Sequence, residues 1–256
     1  ILSYKLLKEF HLSGTAFIVP FAILCFHPAL IIQSGSINND ILCFTLMLAA
    51  SLAAIRWYKK PKFLSILLIA LLLGLAMNAK VSAGLMAPAI AVLFVVKLFQ
   101  AKGSRMNIVG QLFAFGVVCI PLGLWWGAKN AVLYNMPFDY VPKIGVNVDQ
   151  HIGDYSAFQR FFDFDPIQLK NIFICWSDPY RDHNIWITTL KSAMFDEYSS
   201  KSAMVIPAKI LFTSNVLLVL LSVLCAFLFL FKKHRGTDVP IKAFFCILYA
   251  TIFGSY

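Results

Sequence analysis

The side chains most able to do chemistry stand in three short polar stretches, each at the end of an apolar run. The first is Ser34-Gly35-Ser36-Ile37-Asn38-Asn39-Asp40. A carboxylate in such a place can act as a general base, orient an acceptor or hold a divalent metal. Asp40 equally suits a helix start capped together with Asn38 and Asn39, and the two roles coexist. The second is Asn78-Ala79-Lys80. A cation with no carboxylate near it in sequence can neutralise a phosphate arriving from the lipid side, or simply snorkel toward headgroups. The third runs from Trp125 to Asn135, where the tryptophans read as an interfacial belt and Lys129 and Asn130 can face a ligand. His27 before Pro28 has no companion at metal-ligand spacing, so it reads as a hydrogen-bonded neutral histidine beside a proline kink.

What must position these groups is a bundle of membrane helices. Hydrophobic residues make up 60% of the 256 and charged residues 13%, with a mean hydropathy of +0.77. A soluble domain of this length cannot hide so much apolar surface. The apolar runs are roughly 17 to 25 residues long, the length that crosses about 30 Å of hydrocarbon. They place spans at 12–32, 41–55, 63–78, 81–98, 107–126, 209–231 and 240–256. Lipid offers the backbone no partners and the runs lack period-two alternation, so helices are expected rather than barrel strands. The second span is short, and Trp57 and Tyr58 are expected at its interface with Arg56 and Lys59 snorkelling. The expected division is spans one to five in 1–126, a large non-cytoplasmic loop in 127–208 and two last spans in 209–256.

Charge orients this arrangement. Lys5, Lys8, Arg56, Lys59, Lys60, Lys62, Lys97, Lys102, Arg105, Lys232, Lys233 and Arg235 alternate to one side, which the positive-inside rule makes cytoplasmic. The opposite short connections hold Lys80 and Asp40. The net charge of +10 follows from this asymmetry and implies no nucleic acid, which would need basic residues and aromatics gathered on a soluble face. The loop 127–208 carries nine of the twelve acidic residues, and a loop so long usually has a job. Within it, 166–175 and 184–195 read as short helices, the second with Trp186, Leu190 and Met194 on one face along the membrane surface. Five of the six cysteines fall inside spans and Cys175 is alone in the loop, so neither a disulfide framework nor a zinc spacing is present. The chain opens without an initiator Met and stops within an apolar run, as expected of a fragment.

Taken in order, His27-Pro28, Ser34-Gly35 with Asn39-Asp40, Arg56-Trp57-Tyr58-Lys59, Gly74-Leu75-Ala76 leading to Lys80, Trp126 with Lys129-Asn130 and Leu133-Tyr134, and Asn184-Ile185-Trp186 leading to Phe195-Asp196-Glu197-Tyr198 form a pattern. It resembles the membrane glycosyltransferases of the GT-C class, in particular bacterial family 39-like enzymes. These are relatives of protein O-mannosyltransferases and of the aminoarabinose transferase that modifies lipid A. The resemblance covers nearly the whole chain and implies an all-α, polytopic GT-C-like bundle.

The activity it implies is transfer of a sugar from a polyprenyl-phosphate carrier to a lipid, protein or glycan acceptor at the outer face of a cell membrane. In such enzymes an acidic first outer loop lies at the active site, and here it would precede Ile1. Asp40 matches the second acidic position, near the active cavity, and Lys80 matches a lysine suited to the donor phosphate. Lys129 stands where an arginine is expected before Asn130. Asn38, Asn39, Asn130 and Tyr134 would face acceptor or cavity, and a divalent metal is an open possibility. Phe158, Phe161, Phe162 and Phe164, beside Asp163 and Asp165, would lid a polar vestibule by stacking on sugar, or else pack on the bundle. Asp178 and Arg181 would close the vestibule or pair with each other. The rival class is a secondary transporter with Asp40, Lys80 and His27 along a substrate path, although no internal repeat is evident.

Overall fold

The structure, a computed structural model, describes residues 1–36, 38–135, 154–175, 177, 181–195, 204–231 and 239–254. Every regular element among them is helical: α1 (Leu2–Glu9), α2 (Thr15–Cys25), α3 (Pro28–Gly35), α4 (Asp40–Lys59), α5 (Phe63–Ala79), α6 (Ala87–Gln100), α7 (Arg105–Tyr134), α8 (Ala157–Phe162), α9 (Ile185–Phe195), α10 (Val205–Phe231) and α11 (Val239–Gly254), with 3-10 turns at Val81–Met86 and Pro166–Lys170. Among the described residues, four stretches are long and apolar enough to cross a membrane: Asp40–Lys59, Val81–Gln100, Arg105–Tyr134 and Val205–Leu228. A fifth results if α2 and α3 count as one broken span, and α5 and α11 are apolar but shorter. The chain is thus an all-α, membrane-embedded protein.

Contacts group it into two units, 1–24 with 37–141 and 233–256, and 25–36 with 142–232. In the first, α5 lies against α4 and α7, and α6 against α11. Lipid tails are as apolar as leucine, so burial alone drives little helix association there, and close approach through small residues does more. Ala50, Ala54, Ala70, Ala76 and Ala89 are fully buried at these seams. α5 and α7 approach closely at two glycines. A Cβ on Gly74 would come within 3.1 Å of Leu122 and 3.2 Å of the Cys119 carbonyl oxygen, and one on Gly123 within 3.0 Å of the Met77 sulfur.

Several sequence expectations change. Trp57 and Tyr58 are core residues, 0% and 5% exposed, rather than interfacial ones. Trp57 donates its indole N–H to Gln111 Oε1 at 2.7 Å and meets the Phe94 ring edge-on at 4.9 Å. Arg56 and Lys59 do not snorkel: both pair with Glu9 of α1, at 2.6 and 3.0 Å. Burial alone would raise the Glu9 carboxyl, but the hydrogen bonds and charges of Arg56 and Lys59 hold it below the usual carboxylate range. The fifth span does not end at 126. α7 runs on to Tyr134 and is closed by Asn135 in the left-handed region (φ 50), which asparagine tolerates better than most residues.

In the second unit, α9 packs against α3, α8 and α10. Its apolar seam joins Ile172, Met194, Ala208 and Phe212. The short helix expected over 166–175 is reduced to the 3-10 turn Pro166–Lys170, started by Asp165, whose Oδ1 accepts from the Ile167 N–H at 2.9 Å. Of the four phenylalanines, Phe161 is edge-on to Trp186 at 6.0 Å, while Phe158 and Phe162 lie tilted against each other at 4.8 Å and stay exposed. His27 starts α3, with Pro28 as its first residue, and the expected hydrogen bond is missing: its buried Nδ1 has no partner among the described residues.

Candidate functional site

Asp40 and Lys80 meet. Asp40 lies in the first turn of α4 and Lys80 caps the C-terminus of α5, so each charge complements the dipole of its own helix end. Antiparallel packing of those helices brings the ends together, and Lys80 Nζ donates to Asp40 Oδ1 at 2.5 Å. The side chains remain 50% and 33% exposed. Asn39 donates its side-chain amide to the Ala79 carbonyl, tying the α4 start to the α5 end. Asn38 Oδ1 accepts from the Asp40 N–H at 3.2 Å, so the local capping role falls to Asn38 and leaves the Asp40 carboxylate to Lys80. A cation, a carboxylate and two amides therefore share one exposed helix-end cluster.

The third sequence motif takes a different form. Lys129 sits over its own helix's tryptophans, 5.6 Å from the Trp125 ring centre and 5.1 Å from Trp126, a cation–π arrangement. Both rings are exposed, as a belt requires, while Asn130 is buried and Tyr134 lies exposed one turn further on. Lys129, Asn130 and Tyr134 belong to the helical extension of α7 beyond residue 126. Arg181 is described and half-buried, whereas Asp178 lies outside the described residues. No group of three or more His, Cys, Asp and Glu side chains gathers as metal ligands among the described residues. The Asp40 cluster supplies one carboxylate, with its Oδ1 on the Lys80 ammonium.

A second polar cluster escaped the sequence reading. Asp182, His183, Asn184, Gln168 and Lys191 are buried together in the second unit. Lys191 Nζ donates to Asp182 Oδ1 at 2.7 Å with both side chains fully enclosed. Asp182 Oδ2 accepts from the Cys175 N–H at 2.8 Å. Burial pushes the Asp182 carboxyl above the usual range against the opposing pull of Lys191 and the Cys175 N–H. Gln168 Nε2 approaches His183 Nδ1 at 2.8 Å, and His183 Nε2 approaches Asp163 Oδ2 at 3.2 Å. The neutral tautomer that satisfies both keeps its proton on Nε2. The Tyr155 ring stacks on the imidazole at 4.2 Å. Asn184 Oδ1 accepts from the Trp186 and Ile187 N–H groups, starting α9, and its amide reaches the Asp163 carbonyl. With both nitrogens of His183 engaged, the cluster fastens α9 to the preceding segment rather than offering a base. The legible signal was the polar run Asp182-His183-Asn184 directly before an apolar helix, a helix-start signature.

The fold and this geometry define an all-α membrane protein with a small charged cluster where α4 begins and α5 ends. Comparison with known protein families, with curated proteins and with solved structures gives no match to this chain.

Proposed function

We propose that this protein is a membrane glycosyltransferase that moves a sugar from a polyprenyl-phosphate donor to an acceptor at the outer face of the membrane. The observation that carries the reading is the meeting of Asp40 and Lys80 at an exposed rim, forty residues apart in sequence. An exposed ion pair is worth about 0–1 kcal/mol, so an arriving phosphate can take Lys80 from Asp40 at little cost. The acceptor hydroxyl gives its proton to a carboxylate and its oxygen bonds the anomeric carbon. The carbon–oxygen bond to phosphate breaks, and the electron pair leaves with the phosphate. Lys80 stabilises that developing charge, and Asp40, released from its partner, orients or deprotonates the acceptor. Lys129, held on its tryptophans, is a second cation for the donor, and Asn38, Asn39 and Tyr134 supply polar contacts for the acceptor, whereas the buried Asn130 does not.

The test is transfer from a labelled polyprenyl-phosphate sugar in membranes holding the full-length protein. Lys80→Ala is expected to lower the rate about a hundredfold, the scale for removing a donor to a developing oxyanion, and Asp40→Asn to lower it comparably. Undiminished transfer in both variants would remove this reaction centre. One feature favours a transporter instead: His27, with an unpartnered buried nitrogen, stands at the break between two apolar helices, as in transporter binding sites. Solute uptake by sealed vesicles that is lost in His27→Ala, with no sugar transfer in detergent, would decide for that class.

A further inference from the structure

The opposite end of α5 from Lys80 opens a cavity of about 400 Å³ lined by Pro61, Lys62, Phe63, Asn107, Gly110 and Gln111. Its polar wall is set from within. Gln111, 4% exposed, accepts from the Trp57 indole and donates to Asn107 Oδ1 at 2.6 Å. The Asn107 carbonyl thereby accepts one hydrogen bond, and its Nδ2 donor pair is left to meet a ligand. Lys62 is exposed on the rim at the start of α5, a helix start with no side-chain cap. Lys62 and the Asn107 side-chain N–H groups thus offer the cavity a cation and hydrogen-bond donors.

The surrounding charge has the same sign. Lys60, Lys97, Lys102 and Arg105 lie at the same helix ends, while Glu9 is already held by Arg56 and Lys59. From the cavity an apolar track leads away along α7. Met106, Gly110, Phe113 and Val117 recur at i, i+4, i+7 and i+11, so they share one helix face. Met106, Phe113 and Val117 are 82%, 74% and 55% exposed, and a Cβ on Gly110 would meet nothing within 4 Å. A soluble anion would fill the donor-lined end and leave that track bare. A phospholipid fills both.

We propose that this cavity binds the phosphate headgroup of an anionic phospholipid, with an acyl chain lying along Met106, Phe113 and Val117. Lys62 and the Asn107 amide hold the phosphate, and Gly110 leaves the passage from headgroup to chain open. The site is independent of sugar transfer, since it uses none of the residues of the Asp40 and Lys80 cluster.

The experiment measures lipid retained by the full chain, purified in mild detergent, with native mass spectrometry. The probes are dioleoyl phosphatidylglycerol, dioleoyl phosphatidylcholine and water-soluble glycerol 3-phosphate. Phosphatidylglycerol should be preferred over phosphatidylcholine, and glycerol 3-phosphate should not displace it. Lys62→Gln should lower the preference about fivefold, the scale for one lysine at an anionic surface. Gly110→Leu should lower it by filling open space, with the thermal unfolding midpoint followed by circular dichroism unchanged as the check on folding. Lys102→Gln, exposed at the same end but outside the cavity, should change it less than twofold. Equal loss in Lys102→Gln and Lys62→Gln would show diffuse attraction to a basic rim and overturn the site. So would equal retention of the two lipids, full displacement by glycerol 3-phosphate, or unchanged preference in both cavity variants.

Discussion

Asp40 with Lys80 in the first unit, and Asp182 with Lys191 in the second, are the same residue types at nearly the same distance, 2.5 and 2.7 Å, in opposite surroundings. The first pair keeps much of its hydration and can exchange partners. The second has lost its water entirely, and removing either side chain strands the other at a large penalty. Identical chemistry thus serves two ends: a contact open to a ligand, and a rivet that holds α9 to the segment before it.

The contrast is tested most severely at the buried pair. Lys191→Met leaves Asp182 enclosed and unpaired, and is expected to destabilise the second unit by about 3–5 kcal/mol. Hydrogen exchange across α9 reads this directly. Normal protection of α9 in that variant would erase the distinction. A smaller effect is expected for His183→Ala, which strips partners from Gln168 and Asp163 and should cost about 1–3 kcal/mol, measured by the same exchange. Asp40→Asn and Lys80→Ala should each change stability by no more than about 1 kcal/mol. A loss in either comparable to that in Lys191→Met would mean the exposed pair is structural after all.

The smallest effect concerns acid, and here the two units differ in sign. Glu9 has a lowered pKa in the folded state. Its contribution is complete above the ordinary carboxylate range and is lost as pH falls through the lowered value. Asp182 has a raised pKa, so the folded state binds the proton more readily, and its protonation on acidification does not subtract stability. Acid pulses of decreasing pH should therefore loosen α1 from α4 while α9 stays protected, as hydrogen exchange after each pulse can show. Simultaneous loss at both places would contradict these assignments.

Much of the helical framework was legible because an apolar run bounded by charges has few alternatives in lipid. The end of α7 was not. Trp-Trp-Gly-Ala-Lys-Asn reads as an interface giving way to a loop, yet nothing in it stops a helix before Asn135. That Asp40 and Lys80 share a side followed from charge alternation. That they touch depended on where α4 and α5 start and stop, to within a turn, which periodicity does not resolve. Trp57 was misplaced because an aromatic beside basic residues matches the belt pattern, whereas the Gln111 that draws it inward is distant in sequence. The Asp163, Gln168 and His183 contacts have no period at all, and loop contacts of that kind are written in tertiary packing.

The glycines between α5 and α7 reach further than their own surroundings. Gly74 precedes Lys80, and Gly123 precedes Lys129, by the same six residues. A methyl group added at Gly74 would press on Leu122 and the Cys119 carbonyl, and so shift the α5 end that carries Lys80 against α7 without touching the lysine itself.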